Sequence, residues 1–358
     1  MKKSFFLTNI KFIKFFDKRN MGSLPRIFIS SLFVVLFFNL VPKIKNYTQN
    51  KSVEFKNDSK AVLAYTLKNK GKNIEDGQEI LDEKDLLVDI FSLNDLETDT
   101  VRLNASTIKQ LFADTNYTLE DVRQKKLVKP VALTLLPAEI KMIENTKQRK
   151  DFFIQIVLPL ILQENNNIKL DRKRLFSIIN KSNNTNLEKK WLEKKYKQYG
   201  VQSKDLSTLK IRMDEIPVSL AIAQAAKETG WGTSRFAQEG NALFGQWTWS
   251  GEGLKPKDAD KNEGHKVMKF NVLQASVRAY QRNLNTHSSY KNLRKARAEL
   301  RDRGKSLDSL VLVKYLNEYA ETGEKYVDVL EQIIKQNNLK DFDDAKLLPS
   351  SIELDSLI

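Results

Sequence analysis

The 358-residue sequence has no cysteine and only two histidines, His265 and His287. The first absence excludes a thiol nucleophile and any disulfide framework, so core packing alone must hold the chain together. The second leaves no H-E-x-x-H or comparable ligand spacing, which argues against a zinc peptidase or amidase; no metal site and no cofactor is expected. Acids are also in deficit, 45 Asp and Glu against 60 Lys and Arg, for a net charge of +15. A surplus of that size points to an anionic partner, and its location decides which.

Residues 1–50 carry nine basic side chains and one acid, net +8, leaving +7 for the rest. The bases flank an apolar run at 27–41, which as a helix would be roughly 22 Å long, short for a membrane span unless its flanks contribute. No A-x-A-like cleavage site follows it, so an uncleaved signal anchor is expected in preference to a cleaved leader, with Met21 as an alternative start. Seven bases precede the run and two follow closely. That asymmetry puts the N-terminus in the cytoplasm and the remainder outside. With export expected and no nucleic-acid reading motif present, nucleic acid is disfavoured and is not expected as the anionic partner.

The pattern downstream is mainly helical. Residues 46–60 read as a polar linker, and 61–145 mix helical spacing (81–92, 105–112) with an extended stretch around Pro130, without an assignable role. From 147 the apolar positions crowd into a helix interrupted at Pro159, a polar stretch follows at 163–167, and further helices are expected at 172–180 and 187–198. Asp214-Glu215-Ile216-Pro217 is a helix start, Val218, Ala221, Ile222 and Ala225 recur at helical spacing, and Gly230 is a stop. Glycine and tryptophan then punctuate an irregular stretch to Phe270, suited to a loop-rich or hairpin-rich wall of a cleft. Helices close the chain at 272–284 and 309–337, the second broken at Thr322-Gly323. The basic stretch from Lys291 to Arg303 reads as a solvated helix face.

Glu228 falls in the last turn of the helix that starts near Pro217. A helix C-terminus carries partial negative charge and disfavours an acid. Partial burial beside Trp231 would also raise the carboxyl pKa. A carboxylic acid still protonated near neutral pH is what protonation of a glycosidic oxygen requires.

The string AQAAKETGWGTSRFAQEGNALFG (223–245) resembles the glucosaminidase family of peptidoglycan hydrolases, glycoside hydrolase family 73, whose pattern is a helix ending in Ala-Gln-Ala…Glu-Ser-Gly-Trp-Gly followed by Asn-Leu-Phe-Gly. Segments 149–165, 273–280 and 283–287 are similar to a branch of that family found in Gram-negative bacteria. The resemblance covers roughly 147–337 and departs mildly where Thr229 replaces serine and Gln246 follows Phe244-Gly245. It implies a lysozyme-like catalytic domain over 147–340, preceded by the basic anchor region 1–45 and a region of unknown role at 46–146, and followed by a tail at 341–358. It implies Glu228 as general acid, and it matches Tyr319, in Tyr-Ala-Glu-Thr-Gly-Glu-Lys-Tyr326, to the tyrosine of a Tyr-Ala-Thr-Asp…Tyr motif near the catalytic site, with Tyr326 as a candidate substrate-binding residue. Many members carry a second carboxylate some tens of residues after the acid; Glu263 fits best, before an expected strand at 266–270, with Glu252, Asp258 and Asp260 as alternatives. Trp231, Phe244, Trp247 and Trp249 are candidates to line a sugar groove, flat rings packing on pyranose faces, or else to fill the core. The implied activity is hydrolysis of the β-1,4 bond after N-acetylglucosamine in peptidoglycan glycan strands, by a single-pass inner-membrane protein with its catalytic domain in the periplasm. The other readings are a lytic transglycosylase, whose usual Gly-Leu-Met-Gln signature is missing, and a non-catalytic wall-binding scaffold.

Overall fold

The computed structural model describes residues 101–248, 253–255 and 266–349, together with Ile90. The anchor region 1–45 and the run at 27–41 lie outside the described residues; among those described, no helix is long and apolar enough to cross a membrane.

Mainly helical architecture is what the chain adopts. It enters through α1 (Ala105–Asp114), capped by Asn104 on the Thr107 amide, and α2 (Leu119–Lys125), capped by Thr118 on Asp121. A two-residue strand, β1 (Leu127–Val128), follows. Next comes α3 (Thr146–Ile179), 34 residues in one helix where two separated by a polar break were expected. Pro159 costs about 3 kcal/mol inside a helix. Its neighbours Ile156, Val157, Leu158, Leu160 and Ile161 are all buried, and at roughly 1.5–3 kcal/mol per buried aliphatic side chain they outweigh it. The polar stretch does not end the helix because its inward residues are partnered. Glu164 accepts from Arg278 Nε (3.0 Å) and Nη2 (2.9 Å), while Asn165 Nδ2 donates to the Ile216 carbonyl (2.8 Å).

The tail of α3 meets α4 (Asn186–Gln198), which starts on a Thr185/Glu188 capping box, and α5 (Leu206–Arg212), capped by Asp205. These close over a small core of their own around Leu175, Ile178, Leu192, Tyr196 and Leu209. α6 (Val218–Thr229) then runs through the main core, buried at every position from Val218 to Ala226 and packed against α3. The alanines at 221, 223, 225 and 226 permit that close approach.

After α7 (Arg235–Gly240) come β2 (Trp247–Thr248), β3 (Gly253–Leu254) and β4 (Lys266–Met268), an antiparallel sheet in the order β2–β4–β3. The glycine- and tryptophan-punctuated stretch, read as loops or a hairpin, thus contributes a small antiparallel sheet. Gly253 faces Met268 across the pair, where a Cβ would come within 2.5 Å of the Lys266 Cβ. α8 (Leu273–Thr286), α9 (Lys291–Asp302), α10 (Ser309–Leu312), a 3-10 turn at Val313–Leu316 and α11 (Glu324–Gln336) complete the main core. Gly323, at φ +54°, makes the break before α11.

Two expectations are corrected. The basic stretch on α9 is not a solvated face: Arg294 and Arg297 are buried, and Arg297 donates to the carbonyls of Asp214, Glu215 and Ile211. Buried carbonyls at the α5–α6 junction need donors, and a long guanidinium supplies several at once. Nor does the core stop at residues 146 and 340. Ile108, Phe112, Tyr117, Val122, Leu136, Ile140, Phe342 and Ala345 share it with α3 and α6. The final strand, β5 (Lys346–Leu347), pairs in parallel with β1.

Candidate active site

The site is organised around the C-terminal end of α6. Thr229 closes the helix: its hydroxyl donates to the Ala225 carbonyl (2.6 Å) and accepts from the Gly232 amide (2.9 Å). Gly230, Trp231 and Gly232 then take three successive left-handed conformations, φ +57°, +61° and +82°. Such a turn suits glycine at its two ends. At Gly232 a Cβ would also come within 3.0 Å of Ile140 and Phe153. The Glu-Thr-Gly-Trp-Gly string therefore encodes a tight reversal that leaves Glu228 on the final turn, half-buried.

Gln224 and Glu228, four residues apart, share one face of α6. Tyr280 on α8 donates its hydroxyl to Gln224 Oε1 (2.7 Å), Gln224 Nε2 donates to the Tyr326 hydroxyl (3.1 Å), and Tyr326 on α11 donates to Glu228 Oε1 (2.9 Å). Tyr326, the direct partner of the acid, and Gln224 and Tyr280 behind it are all buried. Burial pushes the Glu228 carboxyl above its ordinary value; the charge of Lys227 and the hydrogen bond from Tyr326 oppose the shift without reversing it. Burial likewise holds the Tyr280 and Tyr326 hydroxyls well above their ordinary value, so both remain donors.

The second oxygen, Oε2, lies toward Gly245, where a Cβ would stand 3.4 Å from it. Gly245 adopts φ +62°, so it is favoured there on conformational grounds as well. Tyr319 donates to the carbonyl of Phe244 (2.9 Å) and stacks on Tyr326 with ring centroids 5.4 Å apart. It thereby connects the loop beside Glu228 Oε2 to the tyrosine that holds Oε1.

Glu228, Tyr326, Tyr319 and the Phe244-Gly245 loop are thus brought together. The aromatic candidates divide. Phe244, 1% exposed, is stacked on Tyr280 at 3.8 Å and has no face left for a sugar. Trp231 is 9% exposed, set edge-on to Phe153 with the Lys150 ammonium 4.9 Å from its ring centroid. Both are core residues, the second of the two placements the sequence left open for them: Trp231 lies in the reversal after α6 and packs on Phe153, and Phe244, beyond α7, is held by its stack on Tyr280. Trp247 is half-buried on β2, opposite Val267. Trp249 and Glu263, with the alternatives Glu252, Asp258 and Asp260, lie outside the described residues. Sequence reasoning missed Gln224 and Tyr280. The available clue was the spacing of Gln224 four residues before the acid. Among the described residues no cluster of acids and histidines is placed to hold a metal ion.

The family model named Glucosaminidase, described as mannosyl-glycoprotein endo-beta-N-acetylglucosaminidase, matches residues 205–339. The chain is 32% identical over 195 residues to protein bax of Escherichia coli (strain K12), a match spanning 53% of this chain and 70% of that protein. No solved structure matches it significantly.

Proposed function

Because this chain belongs to the glucosaminidase family and is Bax-like within it, we propose that it is an endo-β-N-acetylglucosaminidase of bacterial cell wall, with Glu228 as the general acid. Membership supports a glycosidase; the bond cleaved and the role of each residue are our reading. The observation that carries it is the carboxyl of Glu228, raised in pKa by burial, with Oε1 held by Tyr326 and Oε2 lying beside a glycine.

Oε1 is occupied as an acceptor, so the acid carries its proton on Oε2. From there the proton passes to the glycosidic oxygen of a β-1,4 bond after N-acetylglucosamine as the C–O bond breaks. The sugar left behind is oxocarbenium-like and is captured by water, either with a second carboxylate or with the substrate's own N-acetyl group as its partner. Glu263 is the carboxylate proposed for the first route. The peptidoglycan strand is the proposed substrate, and the apolar run at 27–41 the proposed tether that holds the enzyme in the periplasm.

Zymography of the full chain against peptidoglycan, beside its Glu228→Gln form, tests the assignment. Clearing by the parent and none by the variant is expected; equal clearing would remove Glu228 from the chemistry. Mass spectrometry of the products separates hydrolysis from transglycosylation, since reducible N-acetylglucosamine ends are expected and anhydro ends would establish the alternative.

A further inference from the structure

The positive charge of the chain is concentrated. Residues 169–210 hold twelve Lys and Arg against four Asp and Glu, net +8. The first fifty residues hold another +8, so everything else sums to −1. The segment 169–210 is the tail of α3 with α4 and α5, the part built on its own small core.

Within it, α4 presents a defined stripe. Leu187, Lys190, Trp191, Lys194 and Lys197 fall within an arc of about 120° at 100° per residue. Leu187 is 75% exposed, the three lysines are exposed, and Trp191 is half-buried, one side packed on the small core. The acids bordering the arc are engaged elsewhere, Glu188 with Lys181 and the Thr185 cap, Glu193 with Lys204 at 3.0 Å. Arg174 stands over the Trp191 ring, 5.0 Å from its centroid, adding a cation beside the stripe, while Lys195 is ion-paired with Asp171.

We propose that this face of α4 docks on an anionic phospholipid surface. A soluble polyanion would be recognised by charge alone. A lipid surface takes both halves of the stripe: lysine ammoniums meet the phosphates, and a leucine and an indole enter the boundary with the acyl chains. The lysine stems are long enough to lie along that boundary with their heads in the phosphate layer.

The absence of native cysteine makes the test clean. An environment-sensitive fluorophore is attached at Asn186→Cys, an exposed position beside Leu187, and the full chain is reconstituted into vesicles of phosphatidylcholine with or without phosphatidylglycerol. A blue shift with severalfold higher emission is expected on the anionic vesicles alone, diminished by high salt. Lys190→Glu, Lys194→Glu and Lys197→Glu together should abolish it, whereas arginine at the same three positions should keep it. Leu187→Ser should reduce the shift, which preserves the test if the glutamate triple fails to fold. Equal emission on both vesicle types, or a shift with soluble polyglutamate and none with vesicles, would overturn the proposal.

Discussion

A carboxylic acid is an effective proton donor when its proton sits on a fixed atom and its pKa is near the working pH. At Glu228 these requirements are met by different neighbours. Burial raises the pKa, and Tyr326, itself held by Gln224 and Tyr280, fixes the carboxyl by one oxygen. The hydroxyl of Tyr326 stabilises the ionised form, so removing it moves the pKa further up. Tyr326→Phe is therefore expected to shift the alkaline limb of the kcat/KM profile to higher pH, because Glu228 then keeps its proton longer. The rate at the optimum should fall about tenfold through loss of one hydrogen bond to the reacting group. A limb that stays in place would detach Tyr326 from the titration of Glu228. Glu228 was legible in the sequence because an acid at a helix C-terminus conflicts with the helix dipole and stands beside a Gly-Trp-Gly reversal. Gln224 was not, because a glutamine inside an alanine-rich helix looks the same whether it faces solvent or spans two tyrosines from other helices.

At the scale of elements, the position of that acid depends on how α6 begins. Pro217 has no side-chain cap to offer, so a buried first-turn amide with no partner inside the helix is satisfied from a distance: the Ser219 amide and hydroxyl donate to Oδ1 and Oδ2 of Asp343, each at 2.8 Å. Burial pushes the Asp343 carboxyl up to about 6, against the bonds from Ser219, which pull it down. A folded pKa above the ordinary one means that the folded state binds this proton more tightly than the unfolded chain. The associated stability is complete below the ordinary carboxylate value and is lost as pH rises through about 6. Calorimetry should show a Tm decline between about pH 4 and pH 7 that Asp343→Asn flattens, since asparagine keeps an acceptor for the amide and has no proton to lose. Asp343→Ala should lose the cap at every pH, about 1 kcal/mol. A pH step unchanged in the asparagine variant would assign it to other groups. Helices with one apolar stripe, such as α8 and α11, were readable from their spacing. α9 and the polar turn of α3 were misread, because Arg297, Glu164 and Asn165 are ordinary surface residue types whose buried partners lie on other elements.

The molecule as a whole shows why a boundary drawn from the resemblance falls inside a core. The similarity begins near residue 147, yet Ile140 packs against the reversal that follows α6: together with Phe153 it forms the slot that only Gly232 fits. Phe112 meets Phe152 edge-on at 6.1 Å, and Tyr117 exchanges hydrogen bonds with Gln155 through its hydroxyl and its carbonyl. A chain starting at 147 would expose the α3 surface covered by α1, Tyr117 and the Ala138–Met142 turn, and would leave β5 without β1. The loss includes Ile108, Phe112, Val122, Leu136 and Ile140, all buried. At roughly 1.5–3 kcal/mol for each large apolar side chain, that exceeds the 5–15 kcal/mol by which a typical domain is stable or takes most of it. We therefore expect a fragment from 101 to unfold in one sharp thermal transition and to clear peptidoglycan, whereas a fragment from 147 has a broad transition or none, is cut readily by protease, and is inactive although it retains Glu228, Tyr319 and Tyr326. If the shorter fragment were as stable and as active as the longer one, the N-terminal helices would be an accessory layer and the reversal after α6 would have to be held by α3 alone.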